Sequence, residues 1–166
     1  MWEEEEMKAR IYNEGQLIKE RLAEISDYIY NNPELGNEEY KAVEALTTFL
    51  KDHDFKIEAP IADMATAFKA TFDSGKPGMT IGYLCEYDAL PKIGHGCGHN
   101  MIGVMSAGAG VVLSKVLHEI GGKVIVYGTP AEETNGGKVI LAEALGTFPM
   151  QGWNPGLLIV SRFFAI

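Results

Sequence analysis

The segment Glu86-Tyr87-Asp88-Ala89-Leu90-Pro91-Lys92-Ile93-Gly94-His95-Gly96-Cys97-Gly98-His99-Asn100 gathers two carboxylates, two imidazoles and a thiol among three glycines. Cys97 and His99 stand two residues apart. On a helix they would diverge, whereas in an extended or looped segment both can face one ion. Gly96 and Gly98 give the backbone the freedom to wrap that ion. Thiolate sulfur and imidazole nitrogen are good ligands for zinc and neighbouring divalent metals. Taken alone, such a pair reads first as a buried cysteine and a hydrogen-bonded histidine in a glycine-rich turn.

The paired acids Glu132 and Glu133 change that balance. They follow Gly128-Thr129-Pro130-Ala131 and precede Asn135-Gly136-Gly137-Lys138, a loop with room for a ligand. Adjacent residues in an extended segment project oppositely, so one acid can bind metal while the other faces substrate as a general base. With Cys97 and His99 they describe a hydrolytic metal site. Asp88 and Glu86 are expected to steady the ligands by hydrogen bonding, although Asp88 also suits a turn cap in Asp88-Ala89-Leu90-Pro91. His95 stays open between a site role and a structural one. His53 and His118 fall on amphipathic helices and are expected at the surface. A Cys97 nucleophile with His99 as its base is the weaker alternative, because the two-residue spacing orients the pair poorly and leaves the two glutamates idle.

The elements that must position these groups can be read from periodicity. Leu17, Ile18, Leu22, Ile25 and Ile29 recur at helical spacing over residues 14–31, and Asn31-Asn32-Pro33 ends that helix. A second helix starts at Asn37-Glu38-Glu39-Tyr40 and carries Val43, Leu46 and Leu50 on one face. Residues 65–73 and 79–85 read as strands separated by the turn Ser74-Gly75-Lys76-Pro77-Gly78. Residues 102–120 form a long helix rich in small residues, 123–127 a buried strand, and 138–145 a further helix. This alternation is the grammar of a layered α/β domain. Both reactive segments lie just past the C-terminal ends of predicted strands, where open α/β sheets place their ligand sites. They meet if those strands are neighbours.

A chain of 166 residues with 46% hydrophobic and 22% charged residues is an ordinary globular composition, large enough for one core. Its net charge of −9 disfavours nucleic acid and anionic membrane as partners. No stretch approaches the roughly 18–20 apolar residues of a membrane span, and the acidic N-terminus lacks the basic region of a secretory signal. The expected location is cytoplasmic. Cys85 and Cys97 permit a disulfide on count alone, but no disulfide scaffold.

Residues 83–100 and 128–138 together resemble the co-catalytic metallopeptidase superfamily that includes aminoacylase, carboxypeptidase G and indoleacetyl-amino-acid hydrolases. The wording from Glu86 to Asn100 is similar to the amidohydrolase branch of aminobenzoyl-glutamate hydrolase and the β-alanyl-lysine dipeptidase-like proteins. The resemblance, running from about residue 14 to about residue 147, implies the N-terminal part of a three-layer α/β/α catalytic domain. It implies Cys97, His99 and Glu133 as metal ligands and Glu132 as the general base that activates the hydrolytic water. The implied reaction is hydrolysis of an amide bond in a small N-acyl or aryl amino acid or dipeptide-like substrate. The implied cofactor is a divalent metal, zinc first with manganese or cobalt as alternatives, as one or two ions. Full-length members are expected to be homodimers.

The sequence departs from that pattern downstream. The family carries a lid or dimerisation domain and two further histidine ligands, yet no histidine follows His118. After Gly146 the chain reads Phe148-Pro149-Met150-Gln151-Gly152-Trp153, and Ser161 falls about where a family histidine would stand. Residues 1–147 are therefore expected to be the N-terminal part of the catalytic domain, and 148–166 a divergent tail arising from truncation or frameshift. Low activity is expected of the chain on its own. The alternative is a degenerate, non-catalytic homologue that binds metal weakly or serves as an interaction partner, with Leu157 to Val160 and Phe163-Phe164 as exposed apolar surface.

Overall fold

The computed structural model describes residues 2–145 and 157–160. Phe148 to Trp153, Ser161 and Phe163-Phe164 lie outside the described residues. The first helix, α1, spans Trp2–Asn31, so the acidic run from Glu3 to Glu6 forms its opening turns, where carboxylates suit the positive end of the helix dipole. At its other end the side-chain amides of Asn31 and Asn32 donate to the carbonyls of Asp27 and Tyr28. The Tyr28 carbonyl is one of the last four, which have no i+4 N–H within the finished helix, and Pro33 prevents continuation. Helix α2, Tyr40–Asp52, starts later than its periodicity suggests. The Glu34 carboxylate accepts the backbone N–H groups of Lys41 and Ala42 at 2.8 and 3.1 Å, capping the first turn. Its buried stripe is Ala42, Leu46, Phe49 and Leu50. His53, expected at the surface, is half-buried, because its ring packs edge-on to Phe49 at 4.8 Å; His118 is exposed as expected.

Five strands follow: β1 Lys56–Glu58, β2 Phe68–Asp73, β3 Thr80–Cys85, β4 Lys123–Gly128 and β5 Leu157–Val160. They form one sheet in the order β1-β2-β4-β3-β5. Strands β3, β4 and β5 run parallel, whereas β2 runs antiparallel to both β4 and β1. The predicted parallel grammar thus holds for β3, helix α3 (His99–Ile120) and β4. The reversed β2 and the short β1 were not foreseen. Leu157 to Val160, which the sequence suggested as exposed tail, pairs with Thr80–Tyr83 as an outer strand.

One face of the sheet, carrying Phe68, Ala70, Val124 and Val126, packs against α1, α2 and α3 through Ile25, Ile29, Leu46, Leu50, Ala107 and Val111. The other face presents Tyr127, with Leu84 and Ile125 beside it, to Met64 and to Leu141 of helix α5, Gly137–Leu145. These faces make the expected three layers. Helix α3 is long and apolar enough, by length and composition, to cross a membrane, with a mean hydropathy of 1.5. That departs from the sequence expectation. In this fold α3 is the core helix, packed between α1 and strands β3 and β4.

Close approach explains the small residues of α3. A Cβ on Gly103 would lie 2.5 Å from the Glu86 carbonyl oxygen, which is backbone and cannot swing aside. Gly103→Ala is expected to destabilise the chain by about 1–2 kcal/mol, because overpacking outweighs the helix-propensity gain of alanine. Gly15 of α1 has nothing within 4 Å of the same position, so Gly15→Ala is expected to stabilise by about 0.5–1 kcal/mol. Denaturant midpoints of the two variants check the pair, and equal shifts would contradict it.

Candidate metal centre

Strands β3 and β4 are parallel neighbours, with Cys85 opposite Gly128 at their C-terminal ends. Thr129 fastens the exit, its N–H donating to the Cys85 carbonyl at 2.9 Å. The Glu86–Gly98 and Thr129–Ala131 segments therefore leave the sheet side by side, and the two reactive segments meet as the strand-end argument requires. Gly98, at φ 76°, takes the left-handed turn that ends the loop and starts α3. His99 is the first residue of that helix.

Asp88 is almost fully buried and joins the two segments. Its Oδ1 lies 2.8 Å from His99 Nδ1, and its Oδ2 accepts the Glu133 backbone N–H at 3.0 Å. A carboxylate only accepts, so Nδ1 carries the proton in this pair and Nε2 is left to face the site. Nε2 lies 3.6 Å from Glu86 Oε2, 3.6 Å from Glu133 Oε1 and 4.0 Å from Glu132 Oε2. Burial alone would lower the His99 pKa, but the hydrogen bond and charge of Asp88, with Glu86 behind it, hold it above the ordinary histidine value. Burial likewise would raise the Asp88 pKa, and His99 with the Glu133 N–H holds it below the usual carboxylate value.

Ligand atoms of His99, Glu132 and Glu133 lie within 4.8 Å of one another. Cys97 stands one step outside that trio, exposed at the rim beside the Glu133 carboxylate. The Glu133 carboxylate first, then burial and the neighbouring Asp88 and Glu132, push its pKa up to about 11. Such a thiol is protonated at neutral pH and a poor nucleophile, and His99 Nδ1 is committed to Asp88 rather than to Cys97. The thiol-nucleophile alternative finds no support. Cys85 is free as well, buried and donating to the Gly103 carbonyl, so the two cysteines form no disulfide.

Glu132 and Glu133 do not project oppositely as expected. Ala131 is left-handed at φ 55°, and Glu132 opens a short helix, α4, Glu132–Asn135. Successive residues on a helix are about 100° apart rather than 180°, so both carboxylates reach the His99 side. Lys138 completes the arrangement. Its Nζ lies 2.7 Å from Glu132 Oε1 and 2.9 Å from Glu86 Oε1. Burial would lower the Lys138 pKa, but these two acids keep it above the ordinary lysine value.

His95 is buried beside Tyr30, with ring centroids 6.4 Å apart, and is not one of the grouped donors. It lines a shallow cleft of about 440 Å³ with Tyr30, Pro33, Leu35, Leu90 and Ile93. Sequence reasoning passed over Lys138 and Glu39. Glu39 is in phase with Ala42, Leu46 and Phe49 on the buried stripe of α2, and that phase is the signal that was available.

No protein-family model matches the chain. Over 142 residues it is 42% identical to the Xaa-Arg dipeptidase of Mus musculus, covering 75% of this chain and 32% of the relative. It is 33% identical over 142 residues to a p-aminobenzoyl-glutamate hydrolase polypeptide of Escherichia coli K12, covering 74% of this chain and 29% of the relative. Among solved structures, a dinuclear metal-binding peptidase of the M20 family from Bacillus subtilis superposes with a TM-score of 0.70 at 23% identity, over 79% of this chain and 40% of the other. That likeness speaks for the fold alone. The chain spans about a third of the length of the curated relatives it matches. By sequence, this chain belongs to the metallopeptidase and amidohydrolase superfamily that its two motifs resemble.

Proposed function

We propose that this chain contributes one side of a divalent-metal centre that hydrolyses amide bonds in N-acyl or aryl amino acids or dipeptide-like substrates. In this reading His99, Glu133 and Cys97 are ligands, Glu132 is the general base, and Asp88 and Glu86 support them. The observation that carries it is Asp88, which orients both His99 and the Glu133 backbone and leaves Nε2 facing three carboxylates. Metal-binding imidazoles are held this way by a carboxylate on the other nitrogen. The donor set fits a cation: one imidazole and several carboxylate oxygens, with a thiol beside them, suit zinc, manganese or cobalt. The Lys138 ammonium, between Glu86 and Glu132, shows that these acids gather around positive charge. Relatives named as a dipeptidase and as an aminobenzoyl-glutamate hydrolase support amide substrates.

A divalent ion held here would supply Lewis acidity, lowering the pKa of water and polarising a carbonyl. The chain's own residues do the rest. Asp88 keeps the His99 ring in one tautomer and orientation. Glu132, with carboxylate oxygens 4.0 Å from His99 Nε2 and 2.7 Å from Lys138 Nζ, takes a proton from water on its carboxylate and returns it to the leaving amine nitrogen. Residues 1–147 form part of the catalytic domain in this reading.

The test is titration of the purified chain with zinc and manganese, followed by assay on an N-acyl amino acid. Stoichiometric binding is expected. Glu132→Gln is expected to remove whatever turnover is present by about 10²–10⁴-fold while cation affinity stays within a few-fold. A folded chain that binds no divalent ion would sink the proposal. Binding without turnover in any reconstituted form would favour the non-catalytic homologue.

A further inference from the structure

Glu39 is fully buried at the start of α2, where its charge is not needed as a cap, because Glu34 already accepts the first N–H groups of that helix. Its two oxygens are committed elsewhere. Oε2 accepts the Thr66 hydroxyl at 2.6 Å, and Oε1 accepts the Ala131 backbone N–H at 2.8 Å. Ala131 holds φ 55° and ψ 41°, a left-handed conformation unfavourable for alanine that surrounding contacts must impose. It immediately precedes Glu132. The other side of this bridge is fixed too, since the Tyr87 hydroxyl donates to the Thr66 carbonyl at 2.5 Å, and Tyr87 stands between Glu86 and Asp88. A carboxylate is buried at such cost only where its hydrogen bonds are satisfied, and here those bonds span the loops on both sides of the centre.

We propose that Glu39 is a positioning residue: through the Ala131 N–H it imposes the turn that aims Glu132 and Glu133 at His99. The consequence for cation binding rests on the metal-centre reading above, whereas the consequence for the turn does not.

The experiment uses the full 166-residue chain, wild type and Glu39→Ala, with Glu39→Gln as the conservative variant. Amide exchange at Ala131 is measured by NMR without metal, and the same samples are titrated with manganese below their melting temperatures. In Glu39→Ala, Ala131 protection and manganese affinity are each expected to fall at least about tenfold. Glu39→Gln keeps an oxygen for the Ala131 N–H and an amide that can donate to the Thr66 hydroxyl. Both quantities are therefore expected to stay within about threefold of wild type. A purely structural role would lower melting temperatures and leave manganese affinity of the folded chain unchanged, and that result would overturn the proposal. If Glu39→Ala does not fold, Glu39→Asp, whose shorter side chain retracts from Ala131, is expected to give the same losses, and unchanged values there overturn it equally. Wild-type chain that binds no manganese refutes the metal reading alone, and Ala131 exchange then decides whether Glu39 holds the turn.

Discussion

His99→Ala is expected to lower divalent-cation affinity by at least about 100-fold, more than the loss of any group that merely orients a ligand. Nε2 is the nitrogen that faces Glu86, Glu132 and Glu133, at 3.6–4.0 Å. Without it an incoming ion meets the carboxylates and the outlying Cys97 thiol but no nitrogen, so one of the donors that suit zinc is gone. The same substitution strands Asp88, which is 2% exposed and loses the imidazole that balances its charge. Removing one partner of a buried pair costs about 3–5 kcal/mol, against total stabilities of about 5–15 kcal/mol for domains of this kind. Part of that cost is offset because Asp88 keeps the Glu133 N–H. A folded but less stable chain is the expected outcome. Calorimetric titration with zinc, run beside thermal unfolding, separates the two effects. Wild-type zinc affinity in a folded His99→Ala chain would remove the basis for a metal centre here.

Asp88→Asn is expected to cost about 10–100-fold in cation affinity, though it changes one oxygen to nitrogen and nothing in volume. Two donors converge on Asp88, the His99 Nδ1–H and the Glu133 backbone N–H. A carboxylate offers an acceptor oxygen to each, whereas asparagine has one acceptor and turns its amide donor towards the other N–H. Either the imidazole loses its tautomer and orientation or the Glu133 backbone loses its anchor. Both outcomes disturb the same ion. The measurement is a manganese titration of the variant together with the ring-nitrogen shifts of His99. Unchanged affinity with an unchanged ring would reduce Asp88 to the turn cap that Asp88-Ala89-Leu90-Pro91 also allowed.

Much of this centre was legible in the sequence because its chemistry is packed into two short runs, each directly after a strand. The β3–α3–β4 unit follows from hydrophobic runs and glycine stops, and parallel neighbours deliver both runs to one edge. The direction of β2 was not legible: alternation in Phe68–Asp73 fixes which side chains face the core, not which way the strand runs. The opposed projection of Glu132 and Glu133 failed for a local reason, since Ala131 takes a left-handed turn that no alanine advertises. Glu39 was hidden by its neighbours. In Asn37-Glu38-Glu39 it reads as one more acid of a first helical turn, and only its phase with the apolar stripe marks it as buried. Lys138 was seen as part of a roomy loop, whereas its ammonium closes that loop across Glu86 and Glu132.

His99 opens a helix of 22 residues that is wedged between α1 and the sheet, while Glu132 and Glu133 ride on a helix of four. The two sides of the centre therefore differ in mechanical compliance. Displacing the imidazole means shifting Val104, Ala107 and Val111 within the packed interior, whereas the carboxylates can advance or withdraw by side-chain rotation at the rim, where Glu133 is exposed, while Glu39 and Asp88 hold the backbone beneath them. Whatever adjustment a bound ion or a changing ligand demands falls to the acids, and the nitrogen serves as the fixed datum from which their distances are set.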